Sequence, residues 1–192
     1  MIEPIFLTTK KGSKIKILTP SEYDCMDSHI NKPYLRTIFH VAFYSGMRYI
    51  EVQRLYDRSD LWQQERHTIY IPRELDRKVK RVAPERYITP IPPQLESELP
   101  YFFLNPKPPC LKVWDENLKR WAKDAGMDLL GISAKMTRAS IESWMSVSRL
   151  FKTEDVCLRQ GHTELTQLRH YLALPFTDIE KTEIKRRLSG WV

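Results

Sequence analysis

Apolar residues recur at intervals of three and four through most of this chain, and that spacing limits its fold more than any other feature. In the segment 34–45 the apolar positions of one face are Leu35, Ile38, Phe39, Ala42 and Phe43. Such a stripe is typical of an amphipathic helix that buries one side. Similar stripes occur in 115–125, 135–145 and 178–191. The sequence therefore predicts a mainly α-helical protein.

Two regions show the alternation that is typical of strands. Residues 68–72 and 86–90 combine β-branched and aromatic side chains with a period of two. The basic sequence 76–81 lies between them, which predicts a β-hairpin with a charged tip. Two shorter extended pieces, 5–7 and 14–18, precede the first helix. We therefore expect a mainly α fold with a small antiparallel β-sheet.

Two capping boxes mark helix N-termini. Thr19 stands three residues before Glu22, and Thr177 stands three residues before Glu180. The second box begins an amphipathic tail helix within 175–192. This helix packs either on its own domain or on a neighbouring copy, and the sequence leaves both arrangements open.

Charge favours a polyanionic partner. The 192 residues include 31 Lys and Arg against 24 Asp and Glu, for a net charge of +7, which favours DNA, RNA or an anionic membrane surface. Cys25, Cys110 and Cys157 are too scattered for a disulfide framework or a CxxC metal site, which indicates a reducing intracellular setting. No apolar run approaches the roughly 18 residues of a membrane span. We expect one cytoplasmic domain that does not enter membranes.

Two pairs of charged residues are candidates for a site. Arg48 follows the helix-ending Gly46, and Glu51 lies one turn further on, near enough to brace the guanidinium. The alternative is an ordinary surface pair. Lys135 and Arg138 are three positions apart and so share a helical face. Two cations placed there either point into water or hold an anion between them.

The remaining candidates have ordinary interpretations as well. Lys78 and Lys80 lie in the predicted hairpin, where they are either solvated or able to reach a DNA phosphate. Gly161 ends a helical run before His162. Tyr171 follows nine residues later on an apolar stripe, where a tyrosine usually packs in the core or at its rim.

Taken in order, these residues resemble the tyrosine recombinase, or phage-type integrase, family. Its catalytic domain carries an Arg after a Gly corner with a Glu three residues on, a hairpin Lys, a His-x-x-Arg box, a Gly-His pair, and a Tyr nine residues after that His. The matching residues here are Arg48 with Glu51, Lys78 or Lys80, Lys135 with Arg138, Gly161-His162, and Tyr171. The resemblance covers about residues 19–174 and implies the catalytic-domain fold of that family.

The chain departs from the family pattern in two places. Lys135 replaces the usual His of the His-x-x-Arg box, as in integrases of archaea and their viruses, and a lysine still provides a proton donor to phosphate. The residues before Thr19 are too few to form the helical core-binding domain that integrases usually carry. The resemblance therefore implies one catalytic domain over 1–192 without that N-terminal domain, either because the sequence is a catalytic-domain fragment or because the protein naturally lacks the N-terminal domain.

The resemblance also implies a mechanism. Tyr171 would attack the phosphorus of a DNA strand, which leaves a 3′-phosphotyrosine and a free 5′ hydroxyl. Arg48 and Arg138 would hold the non-bridging oxygens, while Lys135 and His162 complete the phosphate cage. The hairpin lysine, Lys78 in preference to Lys80, would protonate the leaving oxygen. No metal, cofactor or ATP is implied.

The implied partner is double-stranded DNA, bound by a homotetramer that is a monomer when free. The setting would be the nucleoid, or the cytoplasm of a host cell if the protein serves viral genome integration. Two alternatives remain open at this point. One is a monomeric enzyme similar to type IB topoisomerases, and the other is a DNA-binding module of the same fold that has lost catalysis.

Overall fold

The computed structural model describes residues 3–9, 11–72, 85–161 and 174–191. Within these ranges the helices are α1 (Pro20–Ser28), α2 (Pro33–Ser45), α3 (Tyr49–Asp57), α4 (Pro93–Leu104), α5 (Leu111–Asp124), α6 (Lys135–Ser148), α7 (Thr153–Gln160) and α8 (Asp178–Leu188). The strands are β1 (Ile5–Thr8), β2 (Lys14–Ile17), β3 (Trp62–Gln63), β4 (Thr68–Ile71) and β5 (Arg86–Ile88). The predicted class, mainly helical with a small antiparallel sheet, is confirmed.

The described strands form two antiparallel sheets. β1 pairs with β2, with Ile5 opposite Ile17. The second sheet has the order β3-β4-β5, and Ile69 of β4 lies between Trp62 and Ile88. The predicted pairing of the 68–72 and 86–90 segments is therefore present, and the two extended pieces at the N-terminus pair with each other, whereas the two-residue β3 was missed. The predicted hairpin tip with Lys78 and Lys80 lies outside the described residues.

Helix α2 lies at the centre of the core. It packs against α4 and α6, and its Phe39 and Phe43 are fully buried. The ring of Phe43 lies 4.4 Å from that of Tyr23 and 5.0 Å from that of Trp144. Full burial of each such side chain stabilises the fold by about 1.5–3 kcal/mol. The C-terminus of α2, where the candidate Gly46 corner begins, is therefore held rigidly.

Helix α6 is the second buried element, and side-chain hydrogen bonds fix its position. Ser140 Oγ accepts a hydrogen bond from the main-chain nitrogen of Leu18 at 2.8 Å, and Trp144 Nε1 donates to the oxygen of Leu18 at 2.8 Å. The N-terminus of α6 is held by Asp115, whose Oδ1 accepts from the Ala134 nitrogen at 2.6 Å. These bonds place Lys135 and Arg138 relative to the rest of the core.

The two capping boxes are present as predicted. Glu22 Oε2 accepts from the Thr19 nitrogen at 2.9 Å, and Glu180 Oε2 accepts from the Thr177 nitrogen at 2.7 Å. The apolar stripe in 115–125 and the favourable N-cap type of Asp115 indicate a helix start at Asp115, and this start is wrong. The helix begins at Leu111, because the carboxylate of Asp115 is used in the tertiary contact to Ala134.

The tail helix α8 packs on its own domain in this structure. It lies against α6 and α1, and Arg187 holds both carboxylate oxygens of Asp24 at 2.8 and 2.6 Å. Trp191, which follows α8, lies 6.1 Å from the ring of Tyr44 and 6.2 Å from that of Phe151. Of the two arrangements that the sequence left open, this one is intramolecular. None of the described helices has the length and apolar character needed to cross a membrane.

Candidate active site

Four separate parts of the chain meet at the corner between α2 and α3. They are the corner itself at 44–48, the first turn of α6, the last turn of α7, and the start of β5. Hydrogen bonds from three buried arginines, Arg86, Arg138 and Arg159, connect these parts. The sequence-predicted Arg48 lies at the same corner, so the candidate site is built on an arginine cluster.

Arg48 and Glu51 are arranged as the sequence predicts. Arg48 is the N-cap of α3, and its nitrogen donates to Glu51 Oε2 at 2.7 Å. Its Nη1 donates to Glu51 Oε1 at 2.9 Å. The side chain of Arg48 is 36% exposed and that of Glu51 is 1% exposed. The pair differs from an ordinary exposed pair in that the acid is buried while the guanidinium reaches solvent.

Glu51 has a second arginine partner that the sequence did not indicate. Arg86 Nη2 donates to Glu51 Oε2 at 2.6 Å, and Arg86 is itself buried. Burial alone would raise the pKa of Glu51, but the charges of Arg86, Arg138 and Arg48 lower it below its ordinary value. The carboxylate is therefore ionised at neutral pH.

Arg138 connects α6 to both glycine corners. Its Nη1 donates to the oxygen of Gly46 at 3.0 Å, and its Nη2 donates to the oxygen of Gln160. Burial lowers the pKa of Arg138 to about 10; Glu142 opposes that shift and Arg48 adds to it. At neutral pH the side chain is thus a buried cation, oriented by two main-chain oxygens.

Arg159 supports the corner from the opposite side. Its Nη2 donates to the oxygen of Tyr44 at 2.8 Å, and its Nη1 donates to that of Ser45 at 3.2 Å. Its guanidinium lies 5.9 Å from the ring centre of Trp191. Burial, reinforced by Arg138 and Arg86, lowers its pKa to about 9. The last residues of the α2 helix are therefore fixed to α7.

Two glycines allow these parts to approach closely. Gly46 has φ +65°, and a Cβ built there would lie 2.3 Å from Gln160 Nε2. Gly161 has φ +64°, and its Cβ would lie 3.2 Å from Arg86 Cδ. Positive φ disfavours other residues, so glycine is the preferred residue at both corners, and a side chain at Gly46 would in addition displace the buried Gln160 amide.

The structure therefore brings together Arg48, Glu51, Arg138 and Gly161. Lys135 begins α6 and is exposed, whereas Arg138 one turn later is buried. The expectation that both cations either face water or hold an anion between them is thus too simple, because Arg138 bonds to main-chain oxygens. His162, Tyr171, Lys78 and Lys80 lie outside the described residues.

Sequence reasoning missed Arg86 and Arg159. A signal for Arg86 was present, since it stands two residues before Ile88 in a predicted strand and so shares a face with it. Both are buried, while Tyr87 between them is exposed. Arg159 had no comparable signal, because α7 has only eight residues and its buried face is decided by tertiary packing.

The cluster concentrates positive charge beside a solvent-exposed cation. Arg48 reaches solvent, and the charges of Arg48, Arg86 and Arg138 all act on Glu51. Such a field attracts anions, and guanidinium forks match the oxygens of phosphate groups. Within the described ranges no group of three His, Cys, Asp or Glu residues is placed to hold a metal ion. The arrangement is suited to binding a phosphate group.

Comparison with protein-family models found no match to this chain. Searches of curated proteins and of solved structures likewise found no similar protein.

Proposed function

We propose that the protein is a tyrosine-type site-specific DNA recombinase with the catalytic-domain fold of that family. It cleaves and rejoins DNA strands through a 3′-phosphotyrosine intermediate. The observation that carries this proposal is the meeting of Arg48, Arg138 and Gly161 at one corner. Gly46 and Arg138 are 92 positions apart in sequence and are joined by a hydrogen bond.

Burial of the arginines supports a functional origin for this arrangement. Removing a charged group from water is costly unless it is paired and hydrogen-bonded. Arg86, Arg138 and Arg159 are all buried, and so are the two acids that act on Arg138, Glu51 and Glu142. Apolar side chains of similar volume often stabilise a fold at least as well. The binding of an anion would explain why several buried arginines are kept together here.

The proposed roles of Arg48, Lys135 and Arg138 combine this geometry with the family resemblance, and those of His162, Tyr171, Lys78 and Lys80 rest on the resemblance alone. Arg48 reaches solvent and is the cation best placed to meet a DNA phosphate, while Arg138 stabilises the charge that develops on the phosphate oxygens. Lys135, at the exposed start of α6, adds a proton donor. Gly161 directly precedes His162, which exchanges the proton of the Tyr171 nucleophile. Lys78, or else Lys80, protonates the leaving oxygen.

The proposed partners are double-stranded DNA and further copies of the chain. Recombination joins two DNA sites, so protomers act as a tetramer on paired sites. The energy of the broken phosphodiester is retained in the tyrosine adduct, so rejoining requires no ATP. The role in a cell would be integration or resolution of a mobile element.

A covalent-trapping assay tests this proposal. The protein is incubated with supercoiled plasmid at low salt with EDTA and without ATP, and the reaction is stopped with SDS. The expected result is protein linked to 3′ DNA ends in the wild type and none in Tyr171→Phe. Tyr101, which is 63% exposed on α4, supplies the matched control, and Tyr101→Phe should form the adduct normally.

Other outcomes would favour the alternatives. No adduct on plasmid or on nicked oligonucleotides from neighbouring genomic DNA, with DNA binding intact, would indicate a DNA-binding module instead. Efficient relaxation of supercoils by a monomer would indicate an enzyme similar to type IB topoisomerases.

A further inference from the structure

Arg86 connects the two corners of the candidate site. Its Nη2 donates to Glu51 Oε2 at 2.6 Å, at the N-terminus of α3. Its Nε donates to the main-chain oxygen of Arg159 at 3.2 Å, in the last turn of α7. One guanidinium therefore bridges the segment that carries Arg48 and the segment that leads into Gly161.

Glu51 transmits the contact of Arg86 to Arg48. Glu51 Oε1 accepts from Arg48 Nη1, and Oε2 accepts both from the Arg48 nitrogen and from Arg86 Nη2. Glu51 is 1% exposed, so in the intact protein its carboxylate is held by these arginines and not by bulk water. The orientation of the carboxylate, and through it that of the Arg48 guanidinium, depends on Arg86.

We propose that Arg86 is a positioning residue. It orients the Arg48 guanidinium through Glu51, and it holds the last turn of α7, which ends at Gly161, against the start of β5. Arg86 does not touch DNA itself, because only 4% of its side chain is exposed. The catalytic meaning of this inference rests on the proposed recombinase function. The orientation of Arg48 by Glu51 and Arg86 can be measured without any DNA-cleavage reaction.

The charge balance supports the same role. Glu51 shares one negative charge between Arg48 and Arg86, so the group of three keeps a net positive charge that can attract a phosphate. Without Arg86, Glu51 would neutralise Arg48 alone. A lysine would keep the charge, but it lacks the planar fork through which Arg86 reaches two acceptors in different directions. Arg86→Lys therefore removes the two-acceptor geometry of the guanidinium while it keeps the positive charge.

The first measurement is the mobility of the Arg48 guanidinium by NMR, on the full chain labelled at arginine nitrogens and carbons. Bonding to Glu51 should slow rotation about the Nε–Cζ bond, so the two Nη groups of Arg48 should give separate signals in the wild type. These signals are assigned by their loss in Arg48→Lys. In Arg86→Lys the two signals should merge.

The matched control is Arg186, which is 72% exposed and holds Glu183 through the same Nε and Nη2 atoms. Arg186→Lys should leave the Arg48 signals unchanged. Arg86→Met removes the charge as well as the geometry. If Arg86→Met fails to fold, Arg86→Lys alone is sufficient for the test. Separate, unchanged Arg48 signals in folded Arg86→Lys would overturn the inference.

The second measurement is the single-turnover rate of adduct formation on nicked DNA at saturating concentration. Because misplacement of a reacting group by about 1 Å costs on the order of 10²-fold, Arg86→Lys should slow cleavage by about 10²-fold with DNA affinity nearly unchanged. The double variant Glu51→Gln/Arg86→Lys should be no slower than the slower single variant, since both act by one route. Additive losses, or an unchanged rate, would contradict the positioning role.

The two measurements separate the inference from the function on which it rests. If the wild type forms no adduct on any substrate, the recombinase proposal fails. The NMR comparison then decides the role of Arg86 by itself.

Discussion

Replacing Gly46 with alanine tests the packing of the α2–α3 corner. The backbone at φ +65° disfavours an L-residue by about 1–2 kcal/mol. The new Cβ would also lie 2.3 Å from the buried Gln160 amide, and such overpacking costs about 1–3 kcal/mol. The loss of freedom in the unfolded chain offsets up to about 1 kcal/mol. We expect Gly46→Ala to reduce the free energy of unfolding by about 1–4 kcal/mol.

Urea denaturation followed by circular dichroism measures this change, and the chain supplies its own control. Gly12 has φ +77° with no atom within 4 Å of a built Cβ. Gly12→Ala therefore carries only the backbone contribution, about 1 kcal/mol or less. The difference between the two variants isolates the contact with Gln160.

A double-mutant cycle gives the decisive result. Gln160→Ala removes the atoms that a Cβ at Gly46 would meet, so Gly46→Ala in that background should cost no more than Gly12→Ala. Equal losses for Gly46→Ala and Gly12→Ala, or strictly additive effects of the changes at Gly46 and Gln160, would refute the argument from close packing.

Three further predictions concern stability. Burial acts to lower the pKa of His40, but hydrogen bonds to Asp27 and Glu98 raise it to about 9. Because the folded pKa exceeds the unfolded one of about 6.5, a contribution on the order of 3 kcal/mol is complete below pH 6.5 and disappears as the pH rises through about 9. Glu51 has the opposite sign: its pKa is lowered, so its contribution is complete above its ordinary value of 4.5 and is lost as the pH falls below it. Trp191→Ala should cost about 3–5 kcal/mol, because Trp191 is buried and covers the Arg159 guanidinium.

Urea denaturation across pH checks the first two predictions, and substitution identifies the groups. His40→Gln should flatten the decline between pH 7 and pH 9, and an unchanged decline would assign it to other groups. Glu51→Gln should weaken the acid dependence while costing about 3–5 kcal/mol at neutral pH, as expected when one partner of a buried pair is removed. For Trp191 the comparison is Trp62→Ala, at a half-buried position. An equal loss at both sites would contradict the packing argument.

Local signals in the sequence were sufficient for much of the fold. The capping boxes at Thr19 and Thr177, the stripe of α2 and the stops at Gly46 and Gly161 all correspond to observed features. These signals involve residues a few positions apart, and the chemistry of a helix end is complete within one turn. They therefore predict helices reliably without reference to the rest of the molecule.

The same local reasoning was wrong where a residue serves a distant partner. Asp115 is a favourable N-cap residue, yet its carboxylate accepts the Ala134 nitrogen instead, and α5 begins before it. α4 continues through Pro100, a residue that disfavours helix interiors, to Leu104, with Phe102 buried in the core. In both cases tertiary contacts outweigh the local preference.

The sequence by itself determined which residues were candidates for the site, through an ordered resemblance and the Arg48–Glu51 spacing. Only the tertiary structure decided that Arg138 is buried against the Gly46 corner, that Lys135 is exposed, and that Arg86 is the second partner of Glu51. The physical reason is that burial and hydrogen-bond partners of a charged side chain depend on elements far away in sequence. No local pattern records which distant oxygen a guanidinium will meet.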